Sequence, residues 1–304
     1  MKPTVLTIDS PTRLDIALAS TLGISRSQVQ KFIKEGLITV KGKKVSAHLE
    51  VTPEDHVEVI KEAKKKISKT DLPKLDILFE DDDVIFVNKP SGVLVHRATG
   101  QEGLALLDSL LKHSPKMKKA GAVEGRSGIV HRLDKDASGV LVAAKTDKAF
   151  KWLKQQFARR LTEKHYTVFV MGAVRENQGT IDFPIARSTT RARMAARPLS
   201  QEGKSAITHY EVIGRYTVGT LLDVKIETGR THQIRAHFFA IGHPVAGDTL
   251  YVRKDIKPIK LDRLFLHARS LTVELPNGET KTVKAPLPKE LTEALASLKR
   301  KSGV

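Results

Sequence analysis

The chain of 304 residues contains no cysteine, so disulfide bonds and zinc sites built on thiolates are excluded. It also contains no run of about eighteen or more apolar residues, so no membrane-spanning helix is predicted. Residues 1–10 show no signal-peptide pattern, and we therefore expect the protein in the cytoplasm. Hydrophobic residues make up 40% of the chain and low-complexity tracts are absent, which is typical of a globular protein.

Acidic residues are few relative to basic ones. Lysine and arginine number 52 against 34 aspartates and glutamates, which gives a formal net charge of +18. Such an excess favours a polyanionic partner, and the lack of an amphipathic anchor favours nucleic acid over a membrane surface. Phosphate contacts position a protein without specifying its target, so charge alone does not say which nucleic acid is bound.

The length predicts about two domains, and the first covers residues 1–60. Apolar residues at helical spacing predict one helix around Leu14 and Leu18 and a second around Val29 and Ile33. Ser25 matches an N-cap of the second helix, and a hairpin with its turn at 41–44 follows. The polar side chains on or beside these helices form a basic surface that we expect to bind RNA: Arg13, Arg26, Ser27, Gln30 and Lys31.

Three segments of this domain resemble the alpha-L RNA-binding domain known from a ribosomal small-subunit protein: residues 13–20 (RLDIALAS), 24–45 (ISRSQVQKFIKEGLITVKGKKV) and 53–59 (PEDHVEV). One departure is Glu54, which stands where a glycine often precedes the aspartate at position 55. The resemblance implies a small α+β domain that binds RNA through shape and phosphate and performs no chemistry.

Residues 61–74 are rich in charge and poor in apolar residues, and they predict a basic linker to a larger domain at 75–304. Within that domain, residues 187–204 contain five arginines or lysines, which predicts a loop or short hairpin near nucleic acid. We find no internal repeats.

The segment 127–145 (SGIVHRLDKDASGVLVAAK) places a polar loop between two apolar stretches. Val140–Ala144 reads as a buried strand, and Gly139 permits the sharp return that leads into it. Ionisable side chains in a tight loop between strands are typical of a rigid scaffold that presents reactive groups. From this stretch alone, a solvated charged hairpin is an equally good interpretation.

A second polar segment, residues 228–238 (TGRTHQIRAHF), predicts a turn that leads into a helix. Thr231 is a plausible N-cap, and Ile234, Phe238 and Ile241 form an apolar stripe. Arg230 would then precede the helix N-terminus, where an arginine and the helix dipole both favour an anion.

Three separated motifs stand in order: Asn88–Gly92, His131–Asp134 followed by Ser138 and Gly139, and Thr228–Arg235. Together with Gly242–Pro244 and Gly247-Asp248, they are similar to the RluA-type pseudouridine synthases over about residues 75–291. The resemblance implies an α+β fold whose mixed, mainly antiparallel sheet is flanked by helices. It also implies a monomer that converts uridine to pseudouridine in RNA without a cofactor. Large-subunit (23S) ribosomal RNA is the first expectation for the substrate, and transfer RNA is the second.

The resemblance assigns three catalytic residues. Asp134 matches the nucleophile, which attacks either the ribose or the base, and carboxylates are able to form and release glycosyl esters. Arg230 matches the basic residue paired with the nucleophile. Tyr166 matches the tyrosine that stacks on the target base, and a role in removing the proton from carbon five stays open for it. The neighbouring Asp136 is better explained as a solvated loop residue, because it is Asp134 that follows His-Arg-Leu.

Four further residues are assigned to substrate binding. Arg132 occupies the place of the residue that fills the gap when the uridine leaves its helix, and a uridine inside folded RNA must be extruded before it can react. His131 lies beside it with its role left open. Ile234 and Arg235 complete the set from the third motif, and no metal ligand is assigned.

Three alternatives use the same residues. The first is a non-catalytic RNA-binding or ribosome-assembly protein, which would explain the charge but gives no reason for the motifs around Asp134 and Arg230. The second is a hydrolase that uses Ser138, although the chain lacks the Gly-x-Ser-x-Gly motif. The third is a metal enzyme that uses His232 and His237, whose spacing of five residues splays them on a helix.

Overall fold

The computed structural model describes residues 4–8, 10–23, 26–59, 72–97, 105–121 and 127–300, and only the backbone of Thr4, Ser27 and Lys31. These residues fall into two compact units, 4–59 and 72–300. Residues 61–71 of the predicted linker lie outside the described residues. Residues 72–74 belong to the second unit, where the Ser109 hydroxyl donates a 2.7 Å hydrogen bond to the Pro73 carbonyl.

In the first unit, two helices pack on a small antiparallel sheet with strand order β1-β6-β3-β4. The elements are β1 (Thr4–Leu6), β2 (Thr12–Arg13), α1 (Leu14–Leu22), α2 (Arg26–Lys34), β3 (Ile38–Val40), β4 (Lys43–Lys44), β5 (Glu50–Val51) and β6 (Val57–Val59). The predicted stripes around Leu14, Leu18, Val29 and Ile33 are confirmed as the core of this unit. The predicted N-cap Ser25 lies outside the described residues.

The second unit is built on a nine-stranded sheet with the order β11-β14-β15-β10-β16-β9-β8-β7, and β17 pairs with β16. Its strands are β7 (Ile77–Glu80), β8 (Val84–Lys89), β9 (Ser138–Ala144), β10 (Glu163–Met171), β11 (Gln178–Asp182), β14 (Ile207–Arg215), β15 (Gly219–Ile226), β16 (Leu266–Glu274) and β17 (Thr280–Lys284). Within the described sheet, β9 with β16 is the parallel pair, and the other neighbours are antiparallel. The predicted mixed, mainly antiparallel α+β fold is confirmed.

Helices flank this sheet, and the same unit also contains a separate two-stranded ladder. The helices are α3 (Leu106–His113), α4 (Asp147–Arg159), α5 (Gln233–Ala240) and α6 (Lys289–Ser297), with a 3₁₀ turn at Pro115–Lys119. The ladder is the hairpin β12 (Ile185–Arg187) with β13 (Met194–Ala196), so the arginine-rich segment does form a hairpin. No helix in the described part of the chain is long and apolar enough to cross a membrane.

Apolar residues on both sides of the sheet explain why strand β9 is apolar from Val140 to Ala144. Leu141 and Ala143 face one core, and Val140, Val142 and Ala144 face the other. Every residue of β9 is buried, as expected for a central strand covered on both faces. The polar loop that precedes β9 is therefore attached to the most buried strand of the unit, which fixes its position.

Candidate active site

Two of the sequence motifs meet at the polar loop. Lys89, at the end of β8, is fully buried, and its ammonium donates hydrogen bonds to the carbonyls of Pro90, Val93 and Lys135 at 2.8, 2.8 and 3.0 Å. The Gly92 amide also donates to the Lys135 carbonyl, at 2.9 Å. Burial lowers the pKa of Lys89 to about 7, against the raising effect of the nearby carboxylates. Lys89 thus ties the first motif to the loop that holds Asp134.

Gly139 is required where the loop enters β9. Its φ is +115°, and a Cβ at this position would lie 2.2 Å from the carbonyl oxygen of Ala268 on β16. Any side chain would therefore push apart the parallel strand pair that supports the loop. The close approach anchors the residues just before it, including Asp134.

Asp134 is paired with Arg235. A guanidinium nitrogen of Arg235 donates to Asp134 Oδ2 at 3.2 Å, and two other nitrogens hold the carboxylate of Asp248 at 2.7 and 2.9 Å. The side chain of Arg235 is 6% exposed, that of Asp134 15%, and that of Asp248 0%. Burial alone would lower the pKa of Arg235, but its bonds to Asp248 and Asp134 raise it, so the guanidinium stays charged.

Asp248 in turn belongs to the turn that follows α5. Its carboxylate accepts hydrogen bonds from the amides of Leu250 and Tyr251, at 2.8 and 3.0 Å. Burial by itself raises the pKa of Asp248, but Arg235 and these two amides lower the pKa by a larger amount, so the net shift is downward. Asp134 therefore faces a cation that is already fixed in place by a second, fully buried anion.

The predicted pairing of Arg230 with Asp134 is wrong, because Arg235 fills that position. Arg230 Nε donates instead to the carbonyl of Ser205 at 3.0 Å. The reason lies in where α5 begins. The Gln233 side chain accepts hydrogen bonds from the Arg230 amide and the Thr228 hydroxyl, at 3.0 and 2.8 Å. This closes the turn, leaving Arg230 on the loop and Arg235 on the first turn of the helix.

The predicted N-cap of this helix is also wrong. Helix α5 begins at Gln233, its N-cap is His232 with a φ of +55°, and Thr231 is an exposed loop residue. The predicted apolar stripe of Ile234, Phe238 and Ile241 is confirmed, since Ile234 and Phe238 are buried in the main core and Ile241 packs against it.

Tyr166 lies on β10 beside Asp134, and both line one pocket. The tyrosine is 8% exposed and belongs to the same core cluster as Val168 and Val170. Burial raises its pKa, and the negative charge of Asp134 raises it further, so the phenol keeps its proton at neutral pH. The pocket is lined by Arg132, Leu133, Asp134, Ala137, Tyr166, Ile226, Gly229, Arg230, Thr231, His232, Gln233, Ile234 and Leu266.

The structure separates the remaining substrate-binding candidates by exposure. Ile234 is 4% exposed and forms an apolar wall of this pocket. Arg132 is exposed at its rim, and among the described residues it makes no hydrogen bond or ion pair.

His131 has a supporting position. Its Nε2 accepts a 3.1 Å hydrogen bond from the Val142 amide, and its ring stacks on Phe157 of α4 at 4.5 Å between centroids. Burial lowers the pKa of His131 to about 3, with a smaller contribution from Lys164. The ring is therefore neutral, and it fixes the start of the polar loop against β9 and α4.

Tyr251 links the arginine-rich hairpin to the ion pair. Its hydroxyl donates to the Met194 carbonyl at 2.8 Å, and its ring centre lies 5.1 Å from the guanidinium carbon of Arg235. Arg193 of the hairpin lies 4.8 Å from the same ring and also bonds the Leu250 carbonyl at 2.7 Å. No site role is predicted from the sequence for Asp248, Lys89 or Tyr251. Lys89 and Asp248 nevertheless belong to the Asn88–Gly92 and Gly247-Asp248 motifs, whereas Tyr251 lies outside the motifs.

In the first unit, three of the predicted RNA-binding side chains share one anchor. Buried Asp15 accepts hydrogen bonds from Arg13 at 3.0 and 3.1 Å, from Arg26 at 3.0 Å and from Gln30 at 2.9 Å. Burial raises the pKa of Asp15, but these three donors lower it more, so it stays ionised. The side chains of Ser27 and Lys31 lie outside what the structure describes.

The geometry does not favour the alternative chemistries. Ser138 bonds His267 Nδ1 at 2.9 Å, yet the two residues are 1% and 0% exposed, so no substrate can reach the serine. His237 is buried, with its ring nitrogens bonded to Thr208 and to the Phe183 carbonyl at 2.9 Å each. His232 faces Tyr251 instead, at 3.3 Å. The two histidines are therefore not arranged as a metal-binding pair.

Comparisons with known proteins agree with this architecture. A model of the RNA pseudouridylate synthase family matches residues 83–240, and a model of the S4 domain matches residues 12–57. An uncharacterised RNA pseudouridine synthase of Bacillus subtilis is 39% identical over 96% of this chain and 95% of its own. The ribosomal large subunit pseudouridine synthase D of Nitrosomonas europaea is 38% identical over 94% of this chain and 84% of its own.

Among solved structures, the human RNA pseudouridylate synthase domain containing 1 superposes with a TM-score of 0.62. It is 26% identical and covers 75% of this chain and 89% of its own. The matched family region contains the polar loop, β9, β10 and α5, which together hold Asp134, Tyr166 and Arg235. The chain therefore belongs to the RNA pseudouridine synthases, as a member of RluA type with an S4 domain at its N-terminal end.

Proposed function

We propose that this enzyme isomerises uridine to pseudouridine in large-subunit ribosomal RNA, with Asp134 as the nucleophile. The observation that supports this most strongly is the placement of Asp134: a partly exposed carboxylate, held by the buried cation Arg235, in the same pocket as Tyr166. A carboxylate fixed beside an aromatic ring suits attack on a base that is stacked in the pocket.

The proposed reaction breaks the bond between the ribose C1′ and N1 of uracil and forms a new bond between C1′ and C5. The Asp134 carboxylate supplies the electron pair, by attack on C1′ or on the base, and recovers it when its ester bond breaks. The proton on C5 is lost and N1 gains one, so the product is an isomer of the substrate. Arg235 keeps a fixed positive charge beside the Asp134 carboxylate and orients it through each of these steps.

Tyr166 is assigned to stacking on the uracil. Because its pKa is raised by burial and by Asp134, a phenolate that could take the C5 proton is disfavoured at neutral pH. Stacking on an aromatic ring stabilises a bound base by about 1–3 kcal/mol, which offsets much of the cost of extruding the uridine. Exposed Arg132 is placed to fill the gap that the uridine leaves.

Ribosomal RNA is proposed on three grounds. The S4 domain, the net charge of +18 and the relatives named as large-subunit enzymes all favour a large structured RNA. In the S4 domain, Arg13 and Arg26 form ion pairs with Asp15, and both arginine side chains are exposed to solvent. This exposure leaves them accessible to RNA phosphates. We further propose that the enzyme acts as a monomer in the cytoplasm, where ribosomal subunits mature.

The proposal is tested by incubating the purified chain with unmodified large-subunit ribosomal RNA and, separately, with transfer RNA. Pseudouridine is mapped by carbodiimide labelling and reverse-transcription stops. We expect new stops at one or a few uridines of the ribosomal RNA. If new stops form only in transfer RNA, the substrate is transfer RNA and the proposal of ribosomal RNA is wrong. If neither RNA is modified, a non-catalytic RNA-binding role is the better account.

A further inference from the structure

Two buried lysines near the active site differ in how their ammonium groups are satisfied. All three N–H donors of Lys89 have carbonyl acceptors, which is typical of a structural lysine. Lys164, on β10 two residues before Tyr166, is 8% exposed. Within the described part of the chain, its hydrogen-bond acceptor is the Glu227 carbonyl alone, at 3.2 Å. Two of its donors are therefore left for whatever enters beside it.

Lys164 lines a second pocket of about 330 Å³ that adjoins the pocket of Asp134. The two pockets share part of their lining: Arg132, Tyr166, Ile226, Gly229 and Arg230. A nucleotide in this second pocket would therefore be a direct neighbour of a uridine stacked on Tyr166.

The lining of the second pocket combines cations with apolar walls. Arg132, Lys164 and Arg230 contribute the positive charge, and the described lining residues include no aspartate or glutamate. Arg230 Nε donates a hydrogen bond to the Ser205 carbonyl, so the two terminal nitrogens of this guanidinium are available to a ligand. The apolar part is formed by Ile129, Val130, Phe157 and Ile226. This combination suits a phosphate attached to a sugar and a base, since the walls would exclude water around the charges.

We propose that this second pocket binds the phosphodiester next to the extruded uridine, with Lys164 as the buried cation that contacts it. The inference rests on the proposed function, because it places a flanking nucleotide beside the reacting one. Burial, with a smaller effect from Arg160, lowers the pKa of Lys164 to about 8. A phosphate oxygen would satisfy the free donors and stabilise the ammonium form.

A neutral-linkage scan tests the proposal. In a stem-loop RNA that contains a uridine converted by the enzyme, the linkages on its 5′ and 3′ sides are replaced one at a time by methylphosphonates. Affinity is measured with the full-length Asp134→Asn chain, so that no turnover occurs during binding. We expect one replacement to weaken binding about tenfold, the size of one charge-assisted hydrogen bond.

The same scan in a Lys164→Met background shows whether Lys164 makes that contact. In that background, the methylphosphonate at the sensitive linkage should weaken binding less than about twofold. In a Lys164→Arg background, the same replacement should again weaken binding strongly. Lys148→Met, at an exposed position on α4, is the matched control and should keep the full loss. A scan in which neither linkage matters, or in which Lys164→Met keeps the full loss, would overturn the proposal.

Turnover separates this role from a structural one. With otherwise unmutated enzyme, Lys164→Met should raise the KM for the RNA about tenfold while kcat and the thermal melting temperature stay close to those of the parent. A fall in kcat without a change in KM would contradict a substrate contact. If no uridine is converted by the parent enzyme, the proposed function fails. If the RNA is converted but neither methylphosphonate replacement weakens binding, only the proposal for the second pocket fails and the proposed function stands.

Discussion

Arg235 holds Asp134 with one guanidinium nitrogen at 3.2 Å and holds Asp248 with two others at 2.7 and 2.9 Å. The stronger, two-point contact is with Asp248, which is fully buried. The weaker, one-point contact is with the residue that we propose to react. Arg235 therefore contacts only one oxygen of Asp134, and the other oxygen makes no hydrogen bond to Arg235. Because Asp248 fixes the guanidinium in place, this is the geometry of a preorganised nucleophile.

Replacing Arg235 by lysine should therefore damage catalysis more than binding. A lysine keeps the charge but cannot make a two-point contact with Asp248 and still reach Asp134. We expect kcat to fall about 100-fold, the typical effect of misplacing a reactive group. Arg230→Lys is the matched variant, and it should change kcat little because Arg230 does not contact Asp134. Equal losses of kcat in the two variants would contradict the assignment of Arg235.

His131 should make the folded state sensitive to acid. Its pKa in the folded chain is lowered to about 3, mainly by burial, whereas an unfolded histidine titrates near 6.5. Between these values the unfolded chain binds a proton that the folded chain does not, so the free energy of unfolding falls as the pH drops. His131 as a whole residue is half-buried, and we therefore expect a slope of about 1 kcal/mol per pH unit, below the limit of about 1.4 kcal/mol for one proton.

Urea unfolding of the parent and of His131→Phe from about pH 7 to pH 4 measures this slope. The variant lacks the titrating ring, so its stability should depend less on pH even if it is lower throughout. Parallel pH profiles for the two chains would show that His131 does not titrate as inferred.

Removing the Tyr251 hydroxyl should loosen the arginine-rich hairpin. Tyr251→Phe deletes the hydrogen bond to the Met194 carbonyl, worth about 1 kcal/mol, but keeps the ring beside Arg235. We expect faster amide hydrogen exchange in β13 (Met194–Ala196), with a smaller loss of kcat than in Arg235→Lys. Tyr251→Leu, which also removes the ring, should lower kcat further. Unchanged exchange in Tyr251→Phe would mean that the Tyr251 hydroxyl does not hold the hairpin in place.

In the S4 domain, Arg26→Gln should weaken RNA binding without unfolding the domain, because Arg13 and Gln30 still satisfy Asp15. Loss of one phosphate contact should lower the slope of log K against log salt concentration by about 1. Lys289→Gln, an exposed change in the second unit, is the control. A salt slope that is the same in Arg26→Gln and in the control would remove Arg26 from the RNA-binding surface.

Much of the fold could be predicted because its signals are local. Val140–Ala144 of β9 form an unbroken apolar run, Gly139 of the same strand comes just before this run, and the polar loop before β9 contains Asp134. The choice between Arg230 and Arg235 could not be made in this way. Both belong to one motif, and their roles depend on where α5 begins, which the side-chain bonds of Gln233 determine.

The same limit applies to buried charges. Periodicity places Asp15 on a helix and Lys164 at the start of a strand, and turn residues place Lys89 in the Asn88–Gly92 turn. Neither signal shows that these side chains are enclosed, because their partners come from distant parts of the chain. Each of these charges is recognised only once tertiary packing shows which donors and acceptors surround it.

The most direct test is the rate of pseudouridine formation in Asp134→Asn, measured in a single turnover beside Asp136→Asn. Asp136 lies two residues away in the same loop and is exposed, so the two variants make the same chemical change in adjacent settings. We predict that Asp134→Asn binds the RNA as the parent does but forms no pseudouridine, while Asp136→Asn stays active. Conversion by Asp134→Asn at a rate near that of the parent would contradict the proposed mechanism.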